Sequence, residues 1–389
     1  MKLKLSTKSF VEAINWVTKA HDAKDDKAHV GLVVSDTGVG HVVLADGQTF
    51  MKAPLEITSI DFDGDGVNEA RLALEARFIK TLASSLGEAG ELVFTKDLSD
   101  NKSTLKATRG RDKFTVPTFE AKLASEKEYQ TLGTVSEIEY FDALQRLSKL
   151  ADVTNAGFLP VIGTVDIKLN GDDEEIVIMA TDRYALGEIS MDFKPSEGLG
   201  DIIEGPTSFL LPAGRASLIS PSKGADEITL VFEPKSRKIG YVFTDGRIAL
   251  LALSVADPLP YAGIKENALQ TNASALVNLK ELRTAIGVVA NLAWDETSIT
   301  FVIEADKLSI TDSSAENRMQ IAVSDSKGLE EAFTVKFTRS IIMEALGTVA
   351  TNDVRLKWSS ANAPLLLIPV DADESEVKNV FVLAIPEQN

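Results

Sequence analysis

The chain of 389 residues contains no cysteine, three histidines and three tryptophans. The missing cysteine removes disulfides, thiolate catalysis and cysteine-ligated zinc. His21, His29 and His41 are not paired at metal-ligand spacing. There is no Gly-x-Ser-x-Gly nucleophile elbow and no phosphate-binding loop. Gly38-Val39-Gly40 lacks both a third glycine and a following helix. A familiar enzyme site therefore has no support in the sequence, and neither an enzymatic activity nor a cofactor is expected. No apolar run approaches the length that spans a bilayer. Met1-Lys2-Leu3-Lys4-Leu5 alternates like a strand and lacks the apolar core of a signal peptide, so a cytoplasmic protein is expected, with no membrane partner.

Hydrophobic residues make up 44% and charged residues 25%, values that exclude wholesale disorder. At about 150 residues per domain, the length implies two to three domains. Net charge is −18, from 40 basic and 58 acidic residues. An even spread of that charge would disfavour nucleic acid, because binding to phosphates depends on basic side chains displacing counterions.

Order along the chain is more informative than composition. After the opening strand, Ser6 or Thr7 can cap a helix that places Phe10, Ala13, Ile14 and Val17 on one face. Strands are expected at 30–35, 41–44 and 50–57, and a second helix over 74–86 with Phe78, Ile79 and Leu82 inward. Three further strands follow at 91–94, 103–108 and 113–119.

The same order then recurs twice. Phe10-Val11-Glu12-Ala13-Ile14 has counterparts in Tyr140-Phe141-Asp142-Ala143-Leu144 and Leu282-Arg283-Thr284-Ala285-Ile286, at spacings of 130 and 142. Arg77, Arg215 and Arg339 each open a short helix. Each of these helices leads to an acid-led strand, starting at Glu91, Glu227 and Asp353. A repeat of about 130 residues is a domain, since solenoid units are several times shorter. Breaks are expected near 122–133 and 261–275, giving domains 1–126, 127–265 and 266–389. Helices set between runs of antiparallel strands, without a β-α-β-α rhythm, indicate an α+β class.

Near the centre, Ile176-Val177-Ile178-Met179-Ala180 runs into Thr181-Asp182-Arg183-Tyr184 and then Ala185-Leu186-Gly187-Glu188-Ile189. This pattern reads as a β-hairpin whose second strand alternates Ala185, Gly187 and Ile189 with polar neighbours. A different signal lies at Asp61-Phe62-Asp63-Gly64-Asp65-Gly66. Here Asp61, Asp63 and Asp65 hold the spacing of a calcium loop, but Leu72 stands where a bidentate Glu is needed.

The repeat order, the Ala180-Thr181-Asp182 hairpin, Arg109-Gly110-Arg111-Asp112-Lys113-Phe114 and the ending Val382-Leu383-Ala384-Ile385-Pro386 together resemble the bacterial-type DNA sliding clamp, the β subunit of the replicative polymerase. The resemblance covers essentially the whole chain and rests on order and spacing, because the individual motifs are short. It implies a head-to-tail homodimeric ring of six domains that encircles double-stranded DNA without regard to sequence. An ATP-dependent clamp loader would open the ring, and the ring would tether the replicative DNA polymerase.

The resemblance also places sites. Helix cations expected to face DNA are Lys8, Lys19, Arg77, Lys80, Arg146, Lys149, Arg215, Lys280, Arg283 and Arg339, with Lys24 and Lys27 in a loop. The dimer interface would bring Phe114 and Val116 to Val288 and Val289, with Arg109, Arg111 and Lys113 as charge partners of Glu316. Arg318 stands where the family tends to be acidic. A hydrophobic partner-peptide pocket would use Thr181, Leu186, Pro260, Pro364, Leu383, Ala384, Ile385 and Pro386. Many members read Thr-Asp-Gly-His-Arg-Leu at the hairpin and end in Met, Arg and Leu, where this chain has Thr181-Asp182-Arg183-Tyr184-Ala185-Leu186 and Glu387-Gln388-Asn389. The alternative is a calcium-dependent binding or assembly protein on the same three-domain scaffold, without DNA encirclement.

Overall fold

The computed structural model of the chain describes residues 1–19, 28–62, 67–98, 104–119, 128–203, 207–221, 226–293, 298–373, 375–377 and 380–387. In chain order the elements begin β1 (Lys2–Ser6), α1 (Thr7–Val17), β2 (His29–Ser35), β3 (Gly40–Ala45), β4 (Thr49–Leu55), β5 (Ile57–Asp61), β6 (Glu69–Glu75), α2 (Ala76–Ser85), β7 (Glu91–Thr95), β8 (Leu105–Arg109), β9 (Asp112–Val116), β10 (Thr118–Phe119), β11 (Gln130–Ser136) and α3 (Glu137–Leu147). They continue with β12 (Thr164–Asn170), β13 (Glu175–Thr181), β14 (Ala185–Pro195), α4 (Leu199–Ile202), β15 (Thr207–Pro212), α5 (Ala213–Ala216), β16 (Glu227–Glu233), β17 (Lys238–Val242), β18 (Ile248–Ala252) and α6 (Ala262–Ala268). The last are β19 (Ala273–Asn278), α7 (Leu279–Leu292), β20 (Ser298–Ile303), β21 (Lys307–Thr311), β22 (Arg318–Ala322), β23 (Asp325–Lys327), β24 (Phe333–Thr338), α8 (Arg339–Gly347), β25 (Asp353–Trp358), β26 (Leu365–Val370) and β27 (Val380–Ala384).

Contacts divide the chain into two compact units. The first comprises Met1–Ile138, Pro195–Ile202 and Leu218–Leu253; the second comprises Glu139–Lys194, Ile203–Ser217 and Ser254–Asn389. The middle third of the sequence is thus shared between both units.

In the first unit, one antiparallel sheet runs β5-β1-β7-β8-β9. Another is built through the pairings β10–β6–β2–β3–β4–β18–β17–β16–β11. Helix α1 starts where Ser6 Oγ accepts the Ser9 amide at 3.3 Å, the cap anticipated from the sequence. Phe10, Ala13, Ile14 and Val17 are buried as expected, and Val11 and Trp16 join them. The Phe10 ring meets Phe94 edge to face at 5.3 Å. Burying Phe10, Ile14 and Val17 stabilises the unit by roughly 1.5–3 kcal/mol for each side chain.

The second unit repeats this scheme. Its larger sheet is built through β15–β12–β13–β14–β27–β26–β25–β19–β23, and a four-stranded sheet runs β22-β21-β20-β24. Helix α7 is capped by Asn278, whose side chain accepts the Glu281 amide at 3.1 Å. Leu282, Ala285, Ile286 and Val289 fill the inner face of α7. The class is α+β, as expected.

Several local expectations need correction. The single strand expected over 50–57 is two strands that join different sheets: β4 pairs with β3 and β18, whereas β5 pairs with β1. The helix expected from residue 74 begins at Ala76, because Leu74 pairs with Val30 in β6. Phe78 points outward at 39% exposure, with the Arg77 guanidinium 5.0 Å from its ring centroid. The stretch read as a break at 261–275 contains α6 and the first residues of β19. On β14, Leu186 and Glu188 are buried along with Ala185, Gly187 and Ile189, so the expected alternation is absent. The cause is α6, packed on the face that polar residues were expected to leave open.

Candidate functional site

The hairpin turn is locked by its own side chains. Thr181 Oγ1 donates to the Ala185 carbonyl at 2.6 Å and accepts the Arg183 amide at 3.0 Å. Asp182 Oδ1 accepts the amides of Tyr184 and Ala185 at 2.8 and 2.6 Å. These bonds hold Arg183 in the left-handed region at φ 85°, where a β-carbon is strained. The Arg183 guanidinium lies over the Tyr184 ring, 5.5 Å from its centroid, and Tyr184 stays half exposed.

From this turn, sheet register builds an apolar saddle. Thr181 faces Leu186, Leu186 faces Leu383, and Leu383 faces Leu366. In the adjacent row Asp166 faces Met179, Met179 faces Glu188, and Glu188 faces Phe381. Met179, Leu186, Ala268, Leu366, Ile368, Phe381 and Leu383 form one buried cluster, with Tyr261 and Ile385 packed at its margin. Lys265 of α6 pairs with Glu188 and lies 5.5 Å from the Phe381 ring centroid.

Two clefts flank the saddle. One, of about 870 Å³, is bordered by Pro260, Tyr261, Lys265, Leu366, Ile368 and Phe381. The other, of about 720 Å³, is bordered by Asp152, Asp182, Tyr184, Glu344, Ile385 and Pro386. Of the residues expected at a peptide pocket, Leu186 and Leu383 thus share one cluster, with Ile385 at its edge. Pro260 opens into the larger cleft and Pro386 into the smaller. Thr181 secures the turn. Ala384 pairs with Ala185 and Leu365 at the end of the sheet, and half-buried Pro364 precedes β26.

The saddle also holds groups absent from the sequence expectation. Asp166 is 4% exposed. Its Oδ2 accepts the Ser208 hydroxyl at 3.2 Å, while Oδ1 is buried without a hydrogen bond among the described residues. Burial pushes the Asp166 carboxyl above its ordinary range. Tyr261 is pushed up to about 12, first by burial and then by the charges of Glu188 and Asp166. The Ile264 and Ala268 spacing in Ala262-Gly263-Ile264-Lys265-Glu266-Asn267-Ala268 was the available signal for α6.

The expected DNA-facing cations fall into distinct groups. Lys8, Lys80, Lys149 and Lys280 are exposed helix-face or helix-end residues with no ion pair among the described residues. Lys19 donates to Ser220 at 3.0 Å, and Arg77 pairs with Glu75 at 3.2 Å. Arg215 is half buried on the one-turn helix α5. Arg146 donates to the Thr348 carbonyl at 2.9 Å and pairs with Asp142 at 2.6 Å. Arg283 donates to the carbonyls of Leu346 and Val349, and burial lowers its pKa. Arg339 donates to Asn291 at 3.3 Å. Lys24 and Lys27 lie outside the described residues.

Among the residues expected at an interface, β9 and β22 are edge strands of their sheets. Phe114 is half buried, Val116 is core, Val288 is 38% exposed and Val289 is 1% exposed. Arg111, Lys113 and Glu316 are exposed. Arg109 donates to the Ala89 carbonyl at 3.1 Å, and Arg318 to Ser309 at 2.7 Å. For the calcium alternative, Asp61 ends β5, while Asp63 and Asp65 lie outside the described residues. No group of three or more potential metal ligands occurs among the described residues.

No family model and no curated protein matches this sequence. Solved structures do match. The DNA polymerase III beta subunit of Thermotoga maritima has 18% identity and a TM-score of 0.79, covering 100% of this chain and 99% of that one. A DNA polymerase sliding clamp from Pseudomonas aeruginosa has 15% identity and a TM-score of 0.82, covering 100% of both chains. The Helicobacter pylori beta clamp bound to a DNA ligase peptide has 14% identity and a TM-score of 0.79, again covering 100% of both chains. Over its whole length the chain has the fold of the bacterial-type DNA sliding clamp, the β subunit of DNA polymerase III.

Proposed function

We propose that the protein is a processivity clamp: a non-enzymatic homodimeric ring that encircles duplex DNA and tethers the replicative polymerase. The full-length likeness to sliding clamps carries this reading. The chain is read as three clamp domains, 1–126, 127–265 and 266–389, with six around the closed ring. Lys8, Lys80, Lys149 and Lys280 supply a dispersed positive lining inside a net-negative molecule. Such a lining attracts phosphates weakly and without sequence preference, so topology rather than affinity retains the ring.

Ring closure joins β9 of one copy to the α7 and β22 edge of the other, twice around a twofold axis. The exposed edges β9 and β22 and the exposed side chain of Val288 support that pairing. An ATP-dependent loader opens the ring. Partners dock an extended peptide on the saddle between Pro260 and Pro386, with one or two buried apolar anchors.

A retention experiment tests encirclement. Protein bound to nicked circular plasmid is isolated by gel filtration, and half of the sample is linearised with a single-cutting nuclease. A clamp stays on the circle and runs off the linear form. Equal loss from both forms removes topological tethering.

A further inference from the structure

We propose that the cleft beside the Asp182–Tyr184 turn receives a cationic side chain of the docked partner peptide, so that this chain selects peptides carrying Lys or Arg next to their apolar anchors. This inference rests on the peptide-docking reading above and adds the chemistry of the partner. The cleft of about 720 Å³ has an apolar wall of Tyr184, Ile385 and Pro386, continuous with the saddle through Ile385. Three carboxylates also line the cleft, those of Asp152, Asp182 and Glu344, with Lys149 the cation on the lining.

The charges facing the cleft do not cancel. Glu387 is satisfied by Lys336 at 3.1 Å and by the hydroxyls of Ser298 and Thr338. Asp152 accepts from the backbone and side chain of Asn155, and its negative charge is offset in part by nearby Arg183. Asp182 uses one oxygen in the turn. Glu344 has no ion pair among the described residues. Burial, and after it the charges of Asp182 and Asp152, raise its pKa. A peptide ammonium or guanidinium there gains from these carboxylates. An acidic peptide meets like charge and is rejected.

The test uses the full chain and fluorescein-labelled octapeptides with a Leu-Phe anchor, identical except for Lys, Ala or Glu at the residue flanking the anchor on either side. Anisotropy titrations at low salt should show the best Lys peptide binding about threefold to tenfold more tightly than its Ala form, and the Glu form more weakly. The spread should narrow at high salt. Glu344→Gln, an exposed change on α8, should weaken the Lys peptide toward the Ala form. Equal affinities for Lys and Glu peptides, or a preference untouched by Glu344→Gln, overturn the inference. If affinities are equal but Ile385→Asp abolishes them, docking on the saddle survives and only the cationic preference falls. If no peptide binds, or Ile385→Asp changes nothing, both readings fall.

Discussion

Arg183 occupies a backbone conformation that a non-glycine residue adopts at a cost of roughly 1–2 kcal/mol. The turn bonds from Thr181 and Asp182 over-determine this conformation and leave Arg183 stacked on Tyr184. Arg183→Gly relieves the strain but frees the unfolded chain, which returns roughly 0.4–1 kcal/mol to the unfolded state. The expected net effect is a stabilisation of about 0.5 kcal/mol, read as a higher urea midpoint with an unchanged slope. A loss of stability would show that stacking on Tyr184 outweighs the strain.

Asp166 gives a second prediction at the same scale. Its folded pKa lies above the unfolded value because burial penalises the charged form. Between those two values the folded state holds more protons than the unfolded state, so this residue makes stability rise as pH falls and fall as pH rises. Above the folded pKa, ionised Asp166 is a standing cost. Asp166→Asn should therefore raise the urea midpoint at neutral pH and flatten its dependence between that pKa and the ordinary Asp range. A lower midpoint at neutral pH would mean that the charge is stabilised by a partner.

At the scale of elements, the sequence made legible those helices whose apolar period and cap coincide. Helices α1 and α7 have both; the inner face of α1 was anticipated directly, and that of α7 only through the recurrence of the Phe10–Ile14 pattern at Leu282–Ile286. Where a strand changes sheet, periodicity carries no mark. Alternation continues through Pro54-Leu55-Glu56-Ile57, so β4 and β5 read as one strand. Helix α6 was missed because its polar residues resemble a linker until the sheet it covers is known. The same gap hid Asp166, Glu188 and Lys265 as a group, since their meeting depends on register across β12, β13 and β14. Leu186 and Leu383 were expected together and do share one cluster, but the degree to which the chain already buries them was not readable.

Helix α7 also permits a test of ring closure. Val288 and Leu292 are 38% and 60% exposed, four residues apart on one helix face. Val288→Asp should change the stability of the folded chain by no more than about 0.5 kcal/mol, because the side chain already meets water. If this face closes the ring, the same change should weaken the dimer at least tenfold by sedimentation equilibrium. A melting temperature near the parent's with an undiminished dimer would place the contact elsewhere.

At the scale of the whole molecule, net charge and DNA encirclement are compatible only if cations are segregated from the acidic majority. Arg146 and Arg283 show how far an inventory of basic residues overstates that lining. Both are tied to backbone carbonyls, Arg146 also to Asp142, and they brace helices rather than wait for phosphate. Lys8, Lys80, Lys149 and Lys280 remain as the exposed lysines with no side-chain ion pair or hydrogen bond among the described residues. Counterion release predicts a salt slope of about −0.9 for each phosphate neutralised, so four lysines contribute at most about −4 per chain. Binding to a short linear duplex should be weak and steeply salt-dependent, and replacing all four lysines with Gln should flatten the slope by up to that amount. Because these side chains are exposed, the fold should be unaffected. If a ring holds DNA by closure, retention on a closed circle should fall less than duplex affinity does. An unchanged slope would show that other cations meet the phosphates. Equal losses in duplex affinity and circle retention would show that attraction, not topology, keeps the protein on DNA.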